Sequence, residues 1–110
     1  MKIILHLKKQ IEEEFEDAEK YIYCATRYRS DYPELANTYH KLSTEECGHA
    51  SELYTQMVEL MEHFKKTKSP PEALVEMWDD FKEDYIHETA RIKMMQDIYK
   101  MNKEEREGRQ

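Results

Sequence analysis

The sequence predicts an all-α protein, a single domain in which three long helices form an antiparallel up-down-up bundle. The first supporting observation is the shortage of turn residues, since the 110 residues include only 2 Gly and 3 Pro. Sheets and barrels need many turns, and turns are commonly built on Gly and Pro. The second is that only residues 30–33 and 68–72 interrupt the helical pattern. The third is an apolar periodicity of three and four residues between these interruptions, which is typical of amphipathic helices. Together they exclude all-β, doubly wound α/β and Gly-rich nucleotide-binding folds.

The first two helices are predicted at about 4–30 and 33–66. Pro33 suits the first turn of a helix, where its missing N–H is not needed. Glu34 then lies near the positive end of the helix dipole. The connection before Pro33 is short, and short connections between long helices make them antiparallel neighbours.

The third helix is predicted at about 70–104. Ser69 is the expected N-cap, Pro70 the first helical residue and Glu72 the acid of a capping box. Residues 105–110 are expected to form a polar tail after the last helix.

The charge balance excludes several classes of partner. The chain has 17 basic and 24 acidic residues, a formal net charge of −7, and no Lys/Arg cluster on a helix face, so nucleic acids and anionic membranes are not expected partners. The apolar run Ile3-Ile4-Leu5 is too short for a signal peptide or a membrane span, which favours the cytoplasm. Cys24 and Cys47 do not form a disulfide framework. The acidity suits cation binding, but it also suits simple solubility.

Each predicted helix carries an apolar seam that an acidic residue interrupts near the middle, and the second seam adds a histidine one turn later. The predicted seam residues are Ile4, Leu7, Ile11, Glu14, Ala18, Tyr21, Ala25 and Tyr28 in the first helix, Leu35, Tyr39, Leu42, Glu46, His49, Leu53, Gln56, Leu60 and Phe64 in the second, and Trp78, Phe81, Tyr85, Glu88, Ile92, Met95 and Tyr99 in the third.

The four polar seam residues are predicted to meet at one level of the core. Helices joined by a short connection place residues equidistant from it at equal height, because each residue rises by the same amount. The first connection centres near residues 31–32, which puts Glu14 opposite His49. The second centres near residue 68, which puts His49 opposite Glu88. Glu46 lies one turn from His49 on the same face.

Three carboxylates buried together need something that neutralises them, because desolvating each ion costs several kcal/mol and like charges raise one another's pKa. No seam position is Lys or Arg. Hard oxygen ligands with one imidazole suit iron, manganese or zinc better than magnesium or calcium. The sequence therefore predicts a metal site of Glu14, Glu46, His49 and Glu88. The alternative is a polar layer that fixes helix register without metal.

Two stretches resemble the ferritin-like superfamily of carboxylate-bridged metal proteins. Glu14 followed by Tyr21 is similar to its first metal helix, and Thr44-Glu45-Glu46-Cys47-Gly48-His49-Ala50 is similar to its second, with the Glu-x-x-His signature. The chain particularly resembles small ferritin-like proteins carried by phages and prophages. The resemblance implies bound iron or manganese and oxidase or peroxide chemistry, with Glu88 as the lone Glu of the third helix.

The chain departs from that superfamily because it has no fourth helix. A complete di-metal site takes a Glu from each of two helices and Glu-x-x-His from each of the other two. Three Glu and one His could hold one metal, or a two-fold homodimer could supply a second half-site. The second functional hypothesis is a phage-encoded helical oligomerisation or adaptor protein whose metal site is vestigial.

Three neighbours of the predicted site have open assignments. Asp17 lies one turn from Glu14 and is a rival ligand, although its mixed polar face favours a solvated position. Tyr21 is expected in the core, where it could hydrogen-bond a ligand. Cys47 points off the seam and is expected to fill space rather than bind metal.

Overall fold

The structure, a computed structural model, describes residues 2–108 and consists of three long α-helices. They are α1 (Lys2–Tyr28), α2 (Pro33–Thr67) and α3 (Glu72–Gly108). The molecule measures 61 × 18 × 17 Å, and no strand occurs between residues 2 and 108. The predicted all-α class and the three-helix architecture are confirmed.

The connection between α1 and α2 is as short as predicted. The amide of Tyr32 donates to the carbonyl of Tyr28 at 2.8 Å, and the carbonyl of Tyr32 accepts from Ala36 at 2.9 Å. Pro33 occupies the first turn of α2, as its missing N–H favours. The first helix ends at Tyr28, two residues before the predicted end, because the turn begins at that carbonyl.

The predicted start of α3 is wrong by two residues. Ser69 and Pro70 both precede the helix, which begins at Glu72. The carbonyl of Pro71 accepts its first hydrogen bonds, from the amides of Leu74 at 3.0 Å and Val75 at 3.2 Å. A residue that precedes proline is disfavoured in the α region. Pro70 therefore cannot open a helix in front of Pro71, and Ser69 is not the N-cap.

The predicted end of α3 is also too early. The helix continues through residues 105–108, which were expected to be tail. Glu and Arg are good helix formers, so this polar sequence can continue the helix. Arg109 and Gln110, the rest of the predicted tail, lie outside the described residues.

The α1–α2 interface is built from small and aliphatic side chains. In α2 each buried residue follows a predicted seam residue by one position. In α1 Phe15 and Ile22 are buried in place of the predicted Glu14 and Tyr21, which lie at the edge of the interface. Small side chains let two helix backbones approach closely, so the contact centres on them. The buried residues of these two helices are Ile4, Leu7, Ile11, Phe15, Ala18, Ile22, Ala25, Ala36, Ser43, Ala50, Met57 and Met61.

The buried residues of α3 fall into two groups, one near each end of its contact with the hairpin. Leu74, Trp78 and Phe81 are buried in the first group, and Ile92, Gln96 and Tyr99 in the second. Between Phe81 and Ile92 no side chain of α3 is fully buried. A cavity of about 370 Å³ opens here between α1 and α3.

A buried polar junction joins all three helices. The hydroxyl of Ser43 donates to the carbonyl of Ala18 at 2.6 Å, and the amide of Gln96 donates to the Ser43 oxygen at 2.9 Å and to the sulfur of Cys47 at 3.5 Å. Buried polar groups must be paired, so this junction favours one axial register of the bundle.

No helix within residues 2–108 combines the length and apolar character that a membrane span requires.

Replacing Ser43 with Ala should lower the free energy of unfolding by about 1–2 kcal/mol, because it leaves the buried amide of Gln96 without its best acceptor. Urea denaturation measures the change. Ser51→Ala, an exposed change in the same helix, should cost less than about 0.5 kcal/mol. If both variants cost the same, the junction does not stabilise the bundle.

Candidate metal centre

Glu14 and Glu46 face each other across the α1–α2 seam, and His49 lies beside them. Nδ1 of His49 is 3.7 Å from Oε2 of Glu14 and 3.5 Å from Oε1 of Glu46. One donor atom from each residue lies within 4.8 Å of the other two. The predicted pairing of Glu14 with His49, and of Glu46 with the residue one turn later, is therefore seen in the structure.

The three side chains differ in exposure. Glu14 and Glu46 are 20% and 18% exposed, and His49 is 55% exposed. The group therefore lies at the solvent-facing edge of the seam, with the carboxylates on the inner side and the imidazole on the outer side. It is not the fully buried core layer that the sequence predicted.

The two carboxyl groups interact strongly. A hydrogen bond with Glu14 is the main cause that raises the pKa of Glu46 from 4.5 to about 7, and partial burial and the negative charges of Glu14 and Asp17 raise it further. His49 acts in the opposite direction. No Lys or Arg within the described residues forms an ion pair with Glu14 or Glu46. The pair can therefore share one proton in place of a counter-ion.

The donor set fits a transition-metal cation. Two ligand atoms bound at about 2.1 Å in tetrahedral geometry lie about 3.4 Å apart, close to the separations of 3.5 and 3.7 Å that His49 makes with the carboxylates. Two carboxylates and one imidazole suit iron, manganese and zinc. Glu14, Glu46 and His49 could therefore hold one such ion, with its remaining positions open to solvent on the side of His49.

Glu88, the fourth predicted ligand, does not join this group. Its carboxylate accepts hydrogen bonds from Arg91 at 3.2 and 2.9 Å, and Arg91 also donates to both oxygens of Glu19 at 3.0 and 2.7 Å. Arg91 lowers the pKa of Glu19, and the two acids raise the pKa of Arg91. The sequence prediction missed this ionic cluster, although Arg91 follows Glu88 by three residues, a spacing at which helical side chains meet.

The predicted height of Glu88 along the bundle agrees with the structure, but its position around the bundle axis does not. The α2–α3 contacts Ser43–Gln96 and Tyr54–Tyr85 lie on either side of the His49–Glu88 level. On α2, His49 precedes the α3 contact residue Tyr54 by five positions, which is about 140° around the helix.

The same separation divides Glu14 from Glu19 on α1, because these residues are also five positions apart. Glu19 contacts Arg91 of α3, whereas Glu14 contacts His49. The candidate site consequently lies on the side of the α1–α2 pair that faces away from α3, and Glu88 lies on the other side.

The remaining neighbours lie outside the donor group. Asp17 is exposed, and it affects the site through its charge near Glu46. Tyr21 stacks on Tyr39, with 6.1 Å between ring centroids, one heptad along the same seam. Cys47 is half-buried and accepts from Gln96, and burial raises the pKa of its thiol.

The metal-free protein should lose stability between pH 5 and pH 7. The pKa of Glu46 is higher in the folded state, so the folded chain binds this proton more tightly than the unfolded chain. The resulting stabilisation is complete below pH 4.5 and is lost as the pH rises through about 7. We expect a decrease of about 2 kcal/mol in the free energy of unfolding, less than the full pKa difference because the group is partly solvated.

Urea denaturation in the presence of a chelator measures this dependence. Glu46→Gln should flatten it, and Glu45→Gln, a change at the exposed neighbour, should leave it intact. Equal slopes for the wild type and Glu46→Gln would show that the carboxyl pair does not share a proton. Comparison with the wild type also removes the contributions of all groups other than Glu46.

No protein-family model, no curated protein and no solved structure matches this chain.

Proposed function

We propose that this protein binds a divalent transition-metal cation, iron or manganese with zinc as the third candidate, through Glu14, Glu46 and His49. The observation that carries the proposal is the half-buried pair of carboxyl groups beside an imidazole, with no Lys or Arg ion-paired to either acid within the described residues. Such a pair is destabilising when both groups are ionised, and a bound cation removes that cost.

Metal binding at this site displaces the proton that the two carboxyl groups share. The affinity should therefore increase with pH, because metal and proton compete for the same oxygens. His49 would bind the metal through a ring nitrogen lone pair. A bound iron or manganese ion would supply redox chemistry with dioxygen or peroxide, the chemistry that the ferritin-like resemblance implies.

Three side chains leave coordination positions free, and the exposed His49 marks the side from which another molecule can approach. Open positions are typical of catalytic rather than structural metal sites. The proposal includes a ferritin-like relationship and the redox reaction with dioxygen or peroxide. Both rest on these three ligands alone, since residues 2–108 contain no fourth helix.

The competing function is a helical oligomerisation or adaptor protein with a vestigial metal site. One observation favours it: the contact with Glu14 raises the pKa of Glu46 to about 7, so protonation can reduce the charge of the pair without metal. On this hypothesis the site keeps its geometry but has no useful affinity for cations.

Isothermal titration with Mn(II) and anaerobic Fe(II), together with elemental analysis of protein purified without chelator, separates the two functions. We expect about one ion per site. His49→Ala and Glu46→Gln should each weaken binding by more than about 10-fold, because even the loss of a residue that only hydrogen-bonds a metal ligand typically weakens binding by that much. Glu88→Gln is the matched control, because Glu88 is paired with Arg91 outside the donor group.

Two results would exclude the metal site and favour the adaptor hypothesis. One is an unchanged metal affinity in His49→Ala, and the other is a metal content near zero that added Fe(II) and Mn(II) do not raise. A loss in Glu88→Gln equal to that in Glu46→Gln would instead return Glu88 to the ligand set.

A further inference from the structure

The outer surface of α3 carries an exposed apolar stripe, which we define as Ile86, Ala90, Met94, Ile98 and Met101. The four large side chains are 63%, 64%, 51% and 65% exposed in that order, and Ala90 is exposed as well. Spacings of three and four residues place all five on one face of the helix, over about 22 Å of its length.

This stripe lies opposite the face of α3 that packs on the hairpin. At about 100° per residue, the centre of the stripe is half a turn away from the direction of the buried Phe81, Ile92 and Gln96. A helix that is apolar on two opposite faces normally packs on both sides. The hairpin of α1 and α2 covers one face of α3, and the stripe remains for a partner.

We propose that the stripe is the interface of a two-fold symmetric homodimer in which α3 of one chain packs antiparallel on α3 of a second copy. The middle of the stripe falls between Lys93 and Met94, so the two-fold axis passes there. Ile86 of each chain then lies opposite Met101 of the other, and the small Ala90 lies opposite Ile98. Large side chains opposite small ones interdigitate, as close packing requires.

The charges that flank the stripe favour the antiparallel orientation. In this orientation one edge of the stripe meets the same edge of the second copy, so Lys93 lies beside Lys93 of that copy and within one turn of its Asp97. The two lysines and two aspartates then form a group of four charges with no net charge. Lys82 lies near its Glu104 by the same symmetry. Each chain already shows that Lys93 and Asp97 can pair, at 3.8 Å within the helix. Complementary charge beside an apolar seam is what selects partner and orientation in helix pairs.

A parallel pair would bring like charges together. It places opposite edges of the two stripes in contact at equal height, so Lys93 approaches Arg91 of the second copy and Glu104 approaches its Glu105. Repulsion of this kind disfavours the parallel alternative.

The dimer goes beyond the proposed metal site and is independent of it. Glu14, Glu46 and His49 lie on the side of the α1–α2 pair away from α3, so this interface adds no ligand to them. A metal-free protein can be a dimer, and a monomer can bind metal, which makes the failure of either proposal distinguishable.

Size-exclusion chromatography with light scattering tests the dimer on the full chain. We expect twice the 13.4 kDa of one chain. Met94→Glu places two carboxylates at the two-fold axis and should raise the dissociation constant by about 100-fold or more, with unchanged helix content by circular dichroism. Leu5→Glu, an equivalent change at an exposed apolar residue of α1, should leave the dimer intact. A wild type that is monomeric at micromolar concentration overturns the proposal and leaves the stripe to a different partner.

Cysteine cross-linking tests the orientation. In an antiparallel pair only positions near the two-fold axis approach their own copies, so Met94→Cys should form a disulfide-linked dimer and Met101→Cys should not. A mixture of Ile86→Cys and Met101→Cys chains should cross-link. The wild type is the control for Cys24 and Cys47. Efficient self-linking of Met101→Cys would show a parallel pair, and no cross-linking at position 94 would exclude this interface.

Charge exchange gives a third test of the same register. Lys93→Glu alone should weaken the dimer, and adding Asp97→Lys in the same chain should restore it, because both cross-chain pairs are rebuilt with opposite signs. Failure of the double variant to recover, with its helix content unchanged, contradicts the antiparallel register.

Discussion

The close antiparallel pairing of α1 and α2 is the constraint on which the rest of the molecule depends. The short connection after Tyr28 fixes the axial relation of the two helices, and Ala18, Ala36 and Ala50 let them approach closely. This pairing aligns Glu14 with His49, and it also places the Ser43 hydroxyl against the carbonyl of Ala18. The candidate site is thus a consequence of the hairpin alone, and α3 adds stability without adding a ligand.

The position of the acids at the edge of the seam explains how the chain tolerates them. A fully buried pair of carboxylates would cost several kcal/mol, but partial solvation and a shared proton reduce that cost. The same position leaves the oxygens within reach of a cation. The arrangement therefore costs the metal-free protein some stability near neutral pH, and the metal binding proposed above would offset that cost.

Sequence reasoning recovered axial positions better than rotational ones. The helix class, the two connections and the Glu14–His49 level follow from turn residues and the constant rise of a helix. The separation of Glu88 from the site does not, because it depends on which face of α1 and α2 receives α3. That choice is made by Tyr54, Phe15 and Glu19, whose contacts with α3 are tertiary. The start of α3 after Pro70-Pro71 was predictable, because a residue before proline disfavours the helical conformation. The one-position shift of the buried residues in α2 was not predictable, because it depends on how closely the helices approach.

The cavity between α1 and α3 divides the attachment of α3 into segments of different physical character. Near its first turns α3 is held by the stacking of Trp78 on Tyr54, and near its other end by the hydroxyl of Tyr99, which donates to Asn37 at 2.7 Å. Between Tyr85, which stacks on Tyr54, and the buried Ile92, the exposed Arg91 cluster bridges a solvated gap. Exposed ion pairs are screened by salt, whereas apolar contacts are strengthened by many salts. Ionic strength therefore acts unevenly along this helix: it loosens the middle while its ends remain attached, and amide hydrogen exchange in α3 should follow the same division.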